Sequence, residues 1–197
     1  MSLPDGVERR PFDGHDGPWR LWDAGRSKLG ATLELGLDTG LVGGESVLYL
    51  GAASGTTVSH VADFCGPTYA VEFAPRPARD LVDVAAGRPN LVPLLKDART
   101  PETYAHVVES DIDVVVQDVA TRGQARVAVR NRQFLREGGH LLAAIKARSE
   151  DVTREPAAVF EDVLDELRGA YRIVETARLD RFHDDHLAVV ARPRTTD

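Results

Sequence analysis

A single cysteine, Cys65, occurs among the 197 residues. An internal disulfide and a cysteine-built metal site are thereby excluded, and a reducing compartment, the cytoplasm, is the expectation. Lysine is almost as scarce: against 21 arginines there are only Lys28, Lys96 and Lys146, so each retained lysine is worth following. Positive charge as a whole is in deficit, with 24 Lys+Arg against 31 Asp+Glu for a formal net charge of −7. A protein that grips nucleic acid unaided normally shows the opposite sign, because its basic side chains displace counterions from phosphate. The shortage of lysine fits either a surface kept hydrated by carboxylates in high salt or a GC-rich coding sequence. Long apolar runs are missing too. The longest, Gly138 to Ile145, is far short of the ~20 residues of a membrane span, and no basic-then-apolar leader opens the chain. Neither insertion nor export is expected, and no membrane partner.

What is present is the material of a globular domain, 43% hydrophobic and 28% charged. A chain of this size buries roughly 70% of its unfolded surface. From about Val47 onward, short β-branched runs alternate with amphipathic stretches, the pattern of a parallel sheet flanked by helices. Strands are predicted at Ser46 to Gly51, Thr68 to Phe73, Leu91 to Leu95, Asp113 to Asp118, His140 to Lys146, Tyr171 to Leu179 and Leu187 to Arg192. Helices are predicted at Thr57 to Phe64, Arg76 to Ala86, Glu102 to Glu109, Gln124 to Arg136 and Pro156 to Arg168. Only Asp180 to His186 separates the last two strands, too short for a crossover helix, so that pair should be antiparallel. The fold class is a doubly wound α/β sheet of seven strands, mostly parallel, closed by a C-terminal hairpin. Residues 1–45 fit the rhythm poorly. They hold Trp19 and Trp22, and read as an N-terminal elaboration of a short strand or two and a helix from Arg26 to Leu37, packed on the main domain of residues 46–197. Some forty residues would hardly sustain a core alone.

Chemistry concentrates where strands end. The loop Gly51, Ala52, Ala53, Ser54, Gly55 leaves the first strand and feeds a helix through Thr56 and Thr57. Its glycines allow a tight turn and a close ligand approach, and the helix start favours a carboxylate or phosphate. Glu72 ends the next strand, placed to accept hydrogen bonds from ribose hydroxyls. Asp97 and Ala98 end the third strand, and Asp118 ends the fourth. The loop is neither a Walker A nor a dinucleotide fingerprint, which leaves S-adenosylmethionine as the favoured nucleoside cofactor. His15, His60, His106, His140 and His183 do not pair at metal-ligand spacing, and no metal is expected. Arg122, Arg126 and Arg130 recur every fourth residue, with Arg132 and Arg136 nearby. This basic stripe could meet RNA phosphate or an acidic scaffold, or simply be a solvated face balanced by acids.

The segment from Val47 to Phe73 (VLYLGAASGTTVSHVADFCGPTYAVEF), with Lys96-Asp97-Ala98-Arg99, Gln117-Asp118-Val119-Ala120, Ala144-Ile145-Lys146-Ala147-Arg148-Ser149 and Asp185-His186, resembles fibrillarin in its archaeal form. The likeness spans nearly all of residues 26–192. It implies a class I methyltransferase fold and the catalytic subunit of a C/D box ribonucleoprotein, which methylates ribose 2′-hydroxyls of rRNA and tRNA at positions chosen by a guide RNA. Implied companions are that guide RNA, a Nop-domain scaffold protein and a kink-turn-binding protein. The resemblance also assigns a catalytic tetrad of Lys28, Asp118, Lys146 and His186. Cofactor contacts fall on Thr56, Thr57, Glu72, Phe73, Asp97 and Ala98, and on Asp118, Val119, Ala120, Thr121 and Gln124. The chain departs from the family pattern in its short turn Gly66-Pro67-Thr68, in Thr121-Arg122-Gly123-Gln124, and in a brief region before Arg26. Competing expectations are a methyltransferase acting on protein or a small molecule, and a structural ribonucleoprotein subunit without activity.

Overall fold

In the computed structural model, which describes residues 20–195, the β-branched runs become seven strands of one sheet. They are β1 (Val47–Leu50), β2 (Thr68–Glu72), β3 (Leu91–Leu95), β4 (Ile112–Gln117), β5 (Leu135–Lys146), β6 (Tyr171–Arg178) and β7 (His186–Pro193). Helices α1 (Lys28–Glu34), α2 (Thr56–Ala62), α3 (Pro75–Ala85), α4 (Gln124–Asn131), α5 (Ala147–Glu150) and α6 (Pro156–Arg168) connect and cover them. The strand order is β3-β2-β1-β4-β5-β7-β6. β1 to β5 run parallel, while β7 is antiparallel to both β5 and β6, as the short β6–β7 connection requires.

Period-two alternation sorts each strand's side chains between two cores. Leu48 and Leu50 of β1 join Val115, Phe160 and Leu164 under α4 and α6. Val47 and Tyr49 face the other way, joining Val58, Leu81 and Val116 under α2 and α3. Trp22, Leu29 and Ala31 belong to this second core, so the segment from residue 20 to α1 shares apolar surface with the sheet. Ser27 caps α1 by accepting the Gly30 N–H at 3.0 Å, and its oxygen also accepts Trp22 Nε1–H at 2.9 Å. Trp22 stacks on His60 with ring centroids 5.0 Å apart. Among the described residues 20–45 there is no strand; Trp19 and His15 lie outside the described residues, as does the rest of the stretch in which a strand was expected.

Three expectations change. The segment Glu102 to Glu109 is not an α-helix: a single 3-10 turn, Pro101–Thr103, leads into turns. There Thr100 and Thr103 hydroxyls donate to the carbonyls of Asp97 and Thr100, local bonds that compete with a helical ladder. The helix from Gln124 ends at Asn131 rather than Arg136, and Leu135 already begins β5 by pairing with Ile112. Burial of Phe134 and Leu135 beside β4 overrides the helical pattern of the segment. The short α5 was not anticipated; four residues carry too little periodicity to show.

Candidate active site

Strand order reverses at β1 and β4, and in a sheet wound this way a crevice opens beyond the carboxyl ends of the strands at the reversal. Gly51 leaves β1 there with φ +84°, and a Cβ on it would drive into the Asp118 carbonyl that follows β4. Glycine is what lets the two strand ends close together. Ala53 also adopts a left-handed φ of +48°. It is held by its N–H donating to Glu72 Oε2 at 2.9 Å, while Glu72 Oε1 accepts the Ala74 N–H at 2.8 Å. Glu72 is 6% exposed. One backbone donor thus fixes each oxygen of a buried carboxylate and leaves lone pairs for a ligand, since a carboxylate offers about four acceptor positions.

A cavity of about 390 Å³ lies at this point. Of the residues expected to bind cofactor, Gly51, Ala53, Glu72, Phe73, Asp97, Ala98, Asp118, Val119, Ala120 and Thr121 line it, and Lys28 joins them. The Phe73 ring is 66% exposed, an aromatic face open to the cavity mouth. Val71, Lys96, Arg99 and Val127 also line the wall and were not assigned. Arg99 was the readable one: two residues after Asp97 at a strand end, its guanidinium reaches the Asp97 carboxylate at 2.6 Å. That hydrogen-bonded pairing holds the Asp97 carboxyl below its usual range.

Ala52, Ser54, Gly55, Thr56, Thr57 and Gln124 are not among the lining residues. Ala52 is buried. A Cβ on Gly55 would crowd Leu81 and Val84, so its role is packing against α3. The Thr57 hydroxyl is engaged by the buried Tyr49 phenol, whose pKa is pushed well up, first by burial and then by the Asp118 charge. Gln124 is fully buried, and its side chain spends both polar atoms on the Lys146 backbone: Nε2 donates to the carbonyl at 3.0 Å and Oε1 accepts the N–H at 2.9 Å. In place of a wall position it has a supporting one.

Of the four residues assigned to catalysis, Lys28 and Asp118 line the cavity, whereas Lys146 and His186 stand outside its wall at the paired ends of β5 and β7, with His186 near enough to feel both the Lys28 and the Asp118 charge. Lys28, the first residue of α1, bridges Asp118 with Nζ 3.0 Å from Oδ1. Lys146 ends β5 and stands opposite His186 at the start of β7 in the antiparallel ladder. Such register partners have Cβ atoms ~5 Å apart. His186 Nδ1–H donates to the Asp184 carbonyl at 2.7 Å, which leaves Nε2 free to accept. Burial first, and the Lys28 charge in the same direction, hold the His186 imidazole below its usual pKa. The arrangement therefore offers an ion-paired carboxylate, a second lysine with no ion-pair partner among the described residues, and a neutral imidazole. Together they suit the alignment and deprotonation of a hydroxyl at the edge of a nucleoside cavity.

The arginines of the stripe are occupied within the chain, three of the five by acids. Arg126 pairs with Glu166, Arg130 with Glu102 and Arg136 with Asp113, while Arg122 and Arg132 donate to the carbonyls of Glu150 and Arg194. For Arg126, Arg130 and Arg136 the geometry matches the face balanced by acids.

Comparison with known proteins adds an independent line. The fibrillarin family model matches residues 7–195. A fibrillarin-like rRNA/tRNA 2′-O-methyltransferase of Halobacterium salinarum is 67% identical, across 98% of this chain and 100% of its own. The solved Methanococcus jannaschii fibrillarin pre-rRNA processing protein superposes with a TM-score of 0.82 at 41% identity, over 87% of this chain and 76% of that one. Aeropyrum pernix fibrillarin, solved with natively bound S-adenosyl-L-methionine, gives 0.78 at 44% identity, over 94% and 85%. A fibrillarin/Nop5p complex gives 0.80 at 40% identity, over 88% and 84%.

Proposed function

Because the chain belongs to the fibrillarin family, we propose that it transfers a methyl group from S-adenosylmethionine to ribose 2′-hydroxyls of rRNA and tRNA, as the catalytic subunit of a ribonucleoprotein. The observation that carries this reading is the meeting of the Lys28–Asp118 ion pair and the Lys146–His186 strand pair beside the cavity walled by Glu72. Relatives bear the name rRNA/tRNA 2′-O-methyltransferase, one solved fibrillarin holds S-adenosyl-L-methionine, and another was captured with Nop5p. By the same token a Nop-domain scaffold is the expected protein partner here. A C/D box guide RNA and a kink-turn-binding protein complete the proposed assembly.

The residues fit the cofactor. Glu72, its carboxylate aimed by Ala53 and Ala74, is the ribose acceptor; the Phe73 face and the Asp97–Ala98 strand end flank the base; the tight Gly51 turn gives the amino-acid portion room to approach the backbone. When bound, S-adenosylmethionine supplies a methyl group already activated on a sulfonium. The protein's task is accordingly to align an acceptor hydroxyl and remove its proton. Asp118, steadied by Lys28, accepts the hydrogen bond that orients the hydroxyl. His186, whose Nδ1–H is committed to the Asp184 carbonyl, offers Nε2 as an acceptor for the released proton, and Lys146 stands across the strand pair from it as a hydrogen-bonding partner for the acceptor hydroxyl.

Reconstitution with a guide RNA, a Nop-domain scaffold and a kink-turn-binding protein, followed by mapping of ribose methylation, tests the reading. Lys146→Ala should remove most transfer while cofactor affinity stays within a few-fold, because its partner is the acceptor hydroxyl. A Lys146→Ala complex with wild-type single-turnover rates would end the catalytic assignment. A wild-type complex that methylates only a non-RNA acceptor would end the function.

A further inference from the structure

In a chain seven charges negative, most cations of the described residues are consumed internally. Twelve arginines pair with carboxylates, and three more donate to carbonyl oxygens. The cationic side chains left without a hydrogen bond or ion pair among the described residues are Arg26, Arg76, Arg79, Lys96, Lys146 and Arg172. Their distribution is uneven. Arg172 lies near the start of β6, at the amino edge of the sheet. The other five lie at the carboxyl edge, around the candidate active site: Arg26 just before α1 and Lys28, Arg76 and Arg79 in the first turns of α3 after β2, Lys96 at the end of β3, and Lys146 at the end of β5. Arg26, Arg76, Arg79 and Lys96 are all exposed.

Random scatter of unpaired charge would not favour one edge; exposed cations are well solvated without a partner, so their gathering around the cavity, and not a cost of being unpaired, is what points to an anionic occupant. Resting on the RNA reading of the site, we infer that these cations form a track for the phosphates on either side of the target ribose. Arg76, Arg79 and Lys96 hold one flank and Arg26 the other. β3 and β5 are four strands apart, about 19 Å at the usual ~4.8 Å spacing. A span of that order takes in several nucleotides of an RNA strand. A target strand is the occupant whose negative charge continues on both sides of the reacting group, which is what cations on both sides of the cavity require. An acidic protein docking at one side would need only one flank. The track also accounts for the internally engaged α4 stripe: the arginines most conspicuous in the sequence are occupied, and the free ones are scattered in sequence and gathered by the fold.

The test uses the assembled complex with a synthetic target RNA complementary to the guide, reading KM for target, kcat at saturating target, and the salt dependence of KM. Arg76→Gln/Arg79→Gln should raise KM roughly five- to twentyfold at low salt with kcat retained, each exposed ion pair being worth up to about a fivefold effect. It should also flatten the slope of log KM against log salt by about one per charge removed. Arg126→Gln/Arg130→Gln should change neither. Unaltered target KM and salt slope in the α3 variant, an equal loss in the α4 variant, or a defect confined to scaffold binding would each overturn the track while leaving the methyltransferase reading intact. A wild-type complex that fails to methylate RNA would overturn both.

Discussion

Gln124 grips Lys146 as a neighbouring strand would, accepting its N–H at 2.9 Å and donating to its carbonyl at 3.0 Å from the first residue of α4. The grip is itself braced. The Glu150 carboxylate accepts the Gly123 and Gln124 N–H groups and the Gln124 amide, and the Gln117 amide donates to the Gln124 carbonyl at 2.9 Å. β5 runs out at Lys146, and the side of its backbone away from β7 is paired by an amide side chain instead of another strand.

Gln124 is consequently a positioning residue for Lys146. Replacement by Met, similar in length and without the amide, should lower kcat by roughly 10- to 100-fold, since a shift of about 1 Å in a reacting group costs on that order. Cofactor affinity should hold within a few-fold, because the cavity wall does not include Gln124. Single-turnover rates beside calorimetric binding separate the two, and parallel loss of both would assign Gln124 to the cofactor after all.

How far this was legible in the sequence follows from what each residue depends on. Glu72, Asp97 and Asp118 could be placed because a strand's end is visible as the end of a β-branched run, and parallel strands bring their ends to one edge. Lys146 and His186 were assigned by resemblance alone; that they stand opposite each other depends on the long-range register of β5 against β7, which no local pattern encodes. Gln124 was assigned a cofactor contact by resemblance, and a motif match cannot tell an amide facing a cavity from one facing a backbone. The missing helix after Pro101 reflects local Thr100 and Thr103 bonds together with burial of Tyr104, and the early start of β5 is a case where burial of Phe134 and Leu135 outweighs propensity.

Glu72→Gln should weaken S-adenosylmethionine by tenfold or more, since a charge-assisted hydrogen bond contributes about 1.5–3 kcal/mol. The amide also sets an N–H₂ against one of the two backbone donors at Ala53 and Ala74, loosening the loop that shapes the cavity. Calorimetry on the folded variant measures it; wild-type affinity would remove Glu72 from the binding set.

His140 and His186 give stability a pH dependence of definite sign. Both imidazoles sit below their usual pKa, each first through burial; His140 is also beside Arg192, whose guanidinium donates to its Nε2 at 3.0 Å. The unfolded chain therefore binds more protons just below the ordinary histidine value of 6.5, and stability is lost as pH falls through that range. The urea midpoint should be lower at about pH 5.5 than at about pH 7.5, and His140→Gln, which keeps an acceptor for Arg192 without titrating, should reduce the difference. A midpoint that rises on acidification would contradict the neutral, buried assignment.

The wall that carries Ala98 is held from behind by a buried side chain that does not line the cavity. Asn131, at the end of α4 and fully buried, donates from Nδ2 to the Ala98 carbonyl at 2.8 Å and to the Val127 carbonyl at 2.9 Å, while its Oδ1 accepts the buried Tyr104 hydroxyl. One amide thereby ties the end of β3 to α4 across the core. Asn131→Ala leaves a hydroxyl and a carbonyl at least partly unsatisfied where water has no access, at about 1–3 kcal/mol for each group, so the melting temperature should fall clearly. Tyr104→Phe leaves the Nδ2 bonds in place and orphans only Asn131 Oδ1, so it should cost less than Asn131→Ala. Because Ala98 lines the cavity, the two variants should also separate in binding: S-adenosylmethionine affinity should drop in Asn131→Ala, measured well below its own melting point, and stay near wild type in Tyr104→Phe. If both variants bind cofactor as the parent does, the link from Asn131 to the cavity wall is structural only and the Ala98 backbone keeps its place without it.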